Sequence, residues 1–131
     1  MKKIISFFAF VAIVLTFAAC KNGGNMLEVN EANLLGSWQM IAATEGGVRE
    51  DVSSYNIVWN FFAENHVFTS SRDQQGTWQL TGAKLVISTD QTEWTVSALT
   101  TTSLIIIYDE NEGDDEGEGP YWVIYEFSRA Q

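Results

Sequence analysis

The sequence predicts an all-β fold, an eight-stranded antiparallel up-and-down β-barrel preceded by a short N-terminal helical turn. Apolar and polar residues alternate with a period near two, and the segments are rich in aromatic and β-branched residues. Gly, Asn and Asp separate these segments at intervals of about eight to twelve residues, which favours a meander. Eight such strands can close into a barrel without exposed edges. An open sandwich of the same strands has the same periodicity and remains the alternative.

Residues 1–19 have the layout of a secretory signal peptide. Lys2 and Lys3 precede an apolar run from Ile4 to Phe17, which is interrupted only by Ser6 and Thr16. The run is shorter than the roughly twenty residues that a membrane-spanning helix needs. We therefore assign residues 1–19 to a signal peptide that is removed.

The end of this leader, Leu15-Thr16-Phe17-Ala18-Ala19-Cys20, resembles the bacterial lipobox, although Phe17 stands where leucine is usual. The resemblance implies cleavage before Cys20, the only cysteine, and lipid attachment to its thiol. Residues 20–30 would then tether the protein to a membrane of the cell envelope. We expect the outer membrane of a diderm bacterium, because no aspartate follows Cys20 directly.

Residues 31–131 form the predicted barrel domain. Asn30 is expected to cap a helical turn that runs through Leu35, and Gly36 ends that turn. The predicted strands are Ser37–Ala43, Tyr55–Phe62, His66–Ser71, Gly76–Leu80, Lys84–Thr89, Thr92–Leu99, Ser103–Asp109 and Tyr121–Arg129.

Alternation within these strands predicts which side chains face the interior. The aromatic residues of one strand share a side, and the last strand has the same parity. A small barrel can enclose one ligand or be filled by its own side chains, and both outcomes stay open. The predicted ligand-binding residues are Tyr55, Trp59, Phe61, Trp78, Trp94 and Tyr125.

Several segments resemble those of lipocalin-like domains of the calycin type. Gly36-Ser37-Trp38 is similar to the Gly-x-Trp signature at the first strand, and Gly76-Thr77-Trp78-Gln79-Leu80 is similar to a later strand. The resemblance implies that Arg129 stacks on Trp38 in a structural cation–π contact. The Thr-Asp-Tyr motif of the classical transporters is absent, so the chain is closer to the lipocalin-like bacterial lipoproteins.

Charge and residue content exclude several functions. Removal of the leader with its two lysines takes the net charge from −10 to −12, which disfavours nucleic acid as a partner. His66 is the only histidine, and no glycine-rich phosphate loop precedes a helix. We therefore expect no enzyme activity, no catalytic residues, no bound metal and no cofactor.

The segment from Asp109 to Gly119 holds seven acidic residues among eleven. An EF-hand loop that started at Asp109 would place Gly113 at position 5 and Pro120 at position 12, which does not fit calcium ligation. We interpret the segment as a solvated, self-repelling loop. Weak divalent binding and contact with a partner's basic patch are the alternatives.

The sequence thus favours a lipid-anchored, lipocalin-like barrel that binds a small apolar ligand or a component of the cell envelope. This function follows from the fold resemblance and not from site chemistry. The alternative is an interaction module, or an inhibitor-like module, that lacks a cavity and docks another envelope protein.

Overall fold

The computed structural model describes residues 26–111 and 119–130. Predictions for the leader, Cys20 and the middle of the acidic loop concern residues outside these ranges. One short helix, α1 (Glu31–Leu34), precedes the strands, and two 3-10 turns span Ser53–Tyr55 and Glu64–His66. The strands are β1 (Gly36–Glu45), β2 (Val48–Asp51), β3 (Val58–Phe61), β4 (Val67–Ser70), β5 (Gln74–Thr81), β6 (Lys84–Ile87), β7 (Glu93–Leu99), β8 (Ser103–Asp109) and β9 (Trp122–Arg129).

The sheet closes into an antiparallel barrel because β1 pairs with β9 as well as with β2 and β3. β2 pairs with Ala42–Glu45 of β1, and β3 pairs with Gly36–Gln39 on the same side. The two short strands, β2 and β3, therefore lie end to end beside β1 and together take the place of one strand. The barrel thus has eight strand positions around its circumference. The predicted eight-stranded up-and-down barrel is confirmed, and the open sandwich is excluded.

The chain leaves the wall between β2 and β3 for a local reason. The Asp51 carboxylate accepts hydrogen bonds from the backbone N–H and the hydroxyl of Ser53, at 2.9 and 2.6 Å. Asn56 then adopts a left-handed backbone with φ 55°, a conformation that asparagine tolerates better than most residues. The prediction of a strand that begins at Tyr55 is therefore wrong, because β3 begins at Val58.

The helical turn forms where the sequence predicts it. The side-chain oxygen of Asn30 accepts a hydrogen bond from the backbone N–H of Asn33 at 2.9 Å, which caps α1. Leu34 is fully buried, and its carbonyl accepts a 2.9 Å hydrogen bond from the indole N–H of Trp38. Packing against the barrel stabilises this one-turn helix, which is too short to be stable alone.

Two bulges change which side chains face inward. The register of β1 with β9 shifts between Met40 and Ala42, and that of β7 with β8 shifts between Val96 and Ala98. The second bulge brings Leu99 into the core. The buried apolar core is formed by Leu34, Trp38, Met40, Val52, Trp59, Phe61, Phe68, Trp78, Leu85, Ile87, Trp94, Val96, Leu99, Leu104, Ile106, Val123 and Phe127.

Candidate ligand-binding site

One end of the barrel is covered by α1 and by Arg129 and is called the closed end here. The guanidinium carbon of Arg129 lies 3.8 Å from the centre of the Trp38 ring. Its nitrogens donate hydrogen bonds to the carbonyls of Leu35 at 2.5 Å and Asn33 at 3.3 Å. The residue thus ties β9 to the helical turn and covers the Trp38 ring.

Gly36 is required at this closed end on two grounds. Its φ of +116° lies in the region that favours glycine, and a Cβ there would come within 2.9 Å of an Arg129 guanidinium nitrogen. The glycine of the Gly-x-Trp signature therefore allows Arg129 to approach the chain that leads into β1.

An aromatic cluster fills the middle of the barrel, with Trp59 at its centre. The Trp59 ring lies 5.3 Å from that of Phe68 and 5.0 Å from that of Phe127, between ring centres. It also lies 6.3 Å from the Trp94 ring and 5.9 Å from the Tyr125 ring. Most of these contacts are edge-to-face, the arrangement that ring quadrupoles favour. The cluster connects the closed end with the opposite end of the barrel.

Trp94, Tyr108 and Tyr125 lie at that opposite end, which is called the tyrosine end. The ring of Trp94 is 4.7 Å from each tyrosine ring. Trp94 is buried, whereas both tyrosines are half-buried. The three rings therefore form an aromatic wall that reaches from the core towards solvent.

The tyrosine end has a negative electrostatic environment. Burial raises the pKa of Tyr125 above its ordinary value of 10.0, and the nearby carboxylates of Glu45, Asp90 and Glu110 raise it further. The pKa of Tyr108 is raised by burial and by the same carboxylates. Both hydroxyls therefore stay protonated at neutral pH and are able to donate hydrogen bonds.

The indole N–H of Trp94 is buried and has no hydrogen-bond partner within residues 26–111 and 119–130. Two other buried tryptophans have satisfied indole N–H groups, since Trp38 donates to the carbonyl of Leu34 and Trp78 donates to the carbonyl of Phe62 at 3.0 Å. A buried donor without a protein partner is uncommon, and a bound water molecule is one way in which such a group is satisfied.

Comparison with known proteins gives one match. A family model described as a lipocalin-like domain matches residues 34–106, more than half of the chain. This chain belongs to the lipocalin-like domain family. No curated protein and no solved structure matches it.

The lipocalin-like barrel brings together four of the six predicted ligand-binding residues. Trp59, Phe61, Trp94 and Tyr125 join the interior cluster. Trp78 is also buried, but it lies towards the closed end, where its ring packs against Phe61 and His66.

Tyr55 does not face the interior of the lipocalin-like barrel, and that prediction is wrong. It lies on the 3-10 turn between β2 and β3, and its side chain is 57% exposed. Sequence reasoning also missed Tyr108, which shares the inward parity of Leu104 and Ile106 on β8. The uninterrupted apolar run before Tyr108 concealed the alternation.

A depression of about 340 Å³ opens at the tyrosine end of the lipocalin-like barrel, lined by Thr92, Glu93, Tyr108 and Asp109. Asp109 also orders the base of the acidic loop, because its carboxylate accepts hydrogen bonds from the backbone N–H groups of Asn111 and Tyr121. The acidic loop therefore starts and ends beside the half-buried Tyr108.

Neither a metal centre nor a membrane-spanning helix is found in the part of the lipocalin-like chain that the structure describes. Its His, Asp and Glu side chains form no group of three that could hold a metal ion. None of its helices is both long enough and apolar enough to cross a bilayer.

Proposed function

We propose that this protein is a non-enzymatic, lipid-anchored lipocalin-like protein of the cell envelope that binds a small apolar ligand at the tyrosine end. The observation that carries the ligand site is the unpartnered indole N–H of Trp94 within an aromatic wall. Small barrels of this kind can enclose one ligand. An apolar ligand with a hydrogen-bond acceptor would satisfy this donor and pack against the rings.

Anchoring rests on the leader and on Cys20. Cleavage before Cys20 would leave a lipid-modified cysteine seven residues before Leu27, whose backbone N–H is bonded to the carbonyl of Leu99 at 2.8 Å. Seven extended residues reach about 25 Å, so the barrel would sit close to its membrane. Two or more acyl chains are enough for stable anchoring. We place the protein in the outer membrane of a diderm bacterium.

A second candidate function is a protein-interaction or inhibitor-like module without a cavity. The observation that favours it is the close packing of the interior rings, for example 5.0 Å between Trp59 and Phe127 and 4.7 Å between Trp94 and Tyr125. Rings at these distances contact one another and leave little space between them. An acidic loop at the tyrosine end would then be the part that contacts a partner.

Ligand extraction from the full-length protein distinguishes the two functions. The protein is expressed with its own leader in a diderm bacterium and purified from the envelope in mild detergent. Bound lipids are then extracted and identified by mass spectrometry. We expect an apolar molecule at about one per chain, and palmitic acid added to the stripped protein should quench tryptophan fluorescence.

The matched variants are Trp94→Phe and Trp78→Phe, which remove the same atoms from two buried sites. Trp94→Phe should lower ligand occupancy severalfold, because it removes the free donor, whereas Trp78→Phe should leave occupancy unchanged. An empty wild type that ignores palmitic acid would favour the interaction module, whereas equal occupancy in all three proteins would show that the Trp94 N–H does not hold the ligand.

Anchoring is tested separately with labelled palmitate in growing cells. The wild-type chain should incorporate the label and run at the size of the processed protein. Cys20→Ser should incorporate none and accumulate as the unprocessed precursor, because no other thiol is present. A labelled Cys20→Ser chain would refute lipid attachment at this residue and would leave the ligand site untouched.

A further inference from the structure

Glu45 lies on the inward side of the barrel wall, at the rim of the tyrosine end. It is the last residue of β1 and pairs with the core residue Val123 on β9, which in turn pairs with Tyr108 on β8. Cross-strand partners share a face of the sheet. Because adjacent strands lie about 4.8 Å apart, the backbone of Glu45 is about 10 Å from that of Tyr108. The exposed carboxylate of Glu45 therefore belongs to the same end of the barrel as the half-buried tyrosine.

Two further carboxylates, those of Asp90 and Glu110, lie near the same tyrosine rings. Asp90 is in the loop between β6 and β7, where it accepts a 3.0 Å hydrogen bond from the backbone N–H of Thr92, which lines the depression. Glu110 directly follows the last residue of β8. Together with the first carboxylate, they raise the pKa of both Tyr108 and Tyr125. Negative charge thus reaches the two rings from three separate segments of the chain.

The basic side chains in the described part of the chain do not neutralise these carboxylates, because each has a partner elsewhere. Those partners are Glu126 for Arg49, Glu93 for Lys84, the carbonyl of Tyr55 for Arg72, and the Trp38 ring for Arg129. Glu45, Asp90 and Glu110 form no ion pair with any described residue. The rim of the tyrosine end therefore has uncompensated negative charge, which favours a cationic ligand group.

The arrangement of the carboxylates suits an organic cation better than a metal ion. Calcium requires at least six oxygen ligands at about 2.3 to 2.6 Å. Among the described residues, the His, Asp and Glu side chains form no group of three that could hold a metal ion. A quaternary ammonium group needs no such close ligands, because it is attracted to carboxylates over several ångströms and packs on aromatic faces.

The aromatic wall provides the faces on which such a group can pack. The rings of Tyr108 and Tyr125 each lie 4.7 Å from the ring of Trp94. Trp94 is only 2% exposed, and its indole N–H has no partner among the residues that the structure describes. The depression beside Tyr108 measures about 340 Å³, within the range of small-molecule sites. The tyrosine end thus combines an apolar, donor-bearing inner part with a negative rim.

We infer that the ligand of the tyrosine end is an organic cation with an apolar body, such as a long-chain amine or quaternary ammonium compound. The inference rests on the proposed function, because it names the class of ligand that the same site takes. The cationic head lies at the rim beside Glu45, Asp90 and Glu110, and the apolar body packs against the aromatic wall. A fatty acid can still place its chain against the rings, but the rim repels its carboxylate.

Three probes of equal chain length test this inference on the full-length protein in nonionic detergent. They are octyltrimethylammonium, 1-octanol and octanoate, and each is titrated into protein stripped of bound lipid while tryptophan fluorescence is recorded. Protein-free detergent provides the blank. We expect octyltrimethylammonium to bind at least about tenfold more tightly than octanoate, with octanol between them.

A pair of variants with the same net charge shows whether the preference comes from the rim. Glu45→Gln combined with Glu110→Gln removes two rim carboxylates, and Glu28→Gln combined with Glu64→Gln removes two exposed carboxylates at the closed end. The rim pair should weaken octyltrimethylammonium binding at least about fivefold, whereas the closed-end pair should change it less than about twofold. Binding of the uncharged octanol should be the same in both variants and in the wild type.

The outcomes separate this inference from the proposed function. Equal affinity for the three probes, or equal weakening of octyltrimethylammonium binding by the two pairs of variants, would overturn the inference and leave an apolar site in place. Failure of all three probes and of palmitic acid to bind would overturn the proposed function and the inference with it. Tighter binding of the cation that is lost only in the rim pair would support both.

Discussion

Trp38 and Arg129 are direct register partners on β1 and β9, the two strands that close the barrel, and the Arg129 guanidinium lies over the Trp38 ring at 3.8 Å. The first and last strands are thus joined by backbone hydrogen bonds and also by a side-chain contact. Burial lowers the pKa of Arg129, but a guanidinium remains charged at any pH that the fold experiences. The contact therefore persists across the physiological range.

Replacement of Arg129 should destabilise the fold. Arg129→Leu removes the cation–π contact and leaves the carbonyls of Leu35 and Asn33 without donors, so we expect a loss of about 2 kcal/mol. Urea unfolding followed by tryptophan fluorescence measures the change. Arg49→Leu, at a half-exposed ion pair, is the control and should cost less than about 1 kcal/mol. Equal midpoints for the two variants would contradict this role for Arg129.

The two tryptophans that serve as matched variants for ligand binding should also differ in stability. Trp78→Phe leaves the Phe62 carbonyl without its donor, whereas Trp94→Phe breaks no described hydrogen bond. We expect the first variant to be less stable than the second by about 1 kcal/mol. Denaturant unfolding of ligand-free protein provides the comparison. A less stable Trp94→Phe protein would show that the Trp94 N–H is satisfied in solution.

Stability should fall at alkaline pH because of the tyrosine end. The pKa values of Tyr108 and Tyr125 are raised in the folded state, so the unfolded chain loses these protons first. Their contribution is complete below pH 10 and is lost as pH rises through the folded-state pKa values. Unfolding free energies measured from pH 8 to pH 12 should show this decline. Tyr125→Phe should flatten it, and a double variant with Tyr108→Phe should flatten it further. An unchanged profile would contradict the assignment.

Gly76 should not tolerate a side chain. A Cβ at this position would collide with the hydroxyl of Ser88, which accepts a 2.9 Å hydrogen bond from the backbone N–H of Thr77. We expect Gly76→Ala to cost about 1 to 3 kcal/mol, since overpacking forces neighbours to shift. Addition of Ser88→Gly should recover part of this loss, and a double-mutant cycle by thermal unfolding measures the coupling. If the effects of Gly76→Ala and Ser88→Gly on stability are strictly additive, the strain does not arise from contact between these two residues.

The sequence was sufficient to predict the barrel, its order of strands and the helical turn. Period-two alternation identified Trp59, Phe61 and Phe127 as inward residues, and Asn30 was recognisable as a cap. The tripeptide Gly36-Ser37-Trp38 and Arg129 were sufficient to predict that the first and last strands are tied together by a contact between Trp38 and Arg129. These features depend on local spacing, which sequence reasoning captures well.

The errors in the sequence predictions have tertiary causes. Tyr55 has the correct parity for an inward residue, but the Asp51–Ser53 hydrogen bonds and the left-handed Asn56 take it out of the sheet. β2 was not predicted, because it consists mainly of charged residues and its strand propensity is therefore low. It forms a strand because it pairs with β1. The burial of Ile105 and Ile107, which alternate with the core residues Leu104 and Ile106 on β8, was missed because a strand buried on both sides loses the alternation that reveals it.

Both ends of the described chain emerge at the closed end of the barrel. Leu27 is bonded beside the end of β7, and the backbone N–H of Ala130 donates to the carbonyl of Ser37 at the start of β1. A tether attached upstream of Met26 therefore pulls on the end covered by α1. In an anchored protein, the tyrosine end would face away from the lipid surface, and any ligand would arrive from the aqueous side of the envelope.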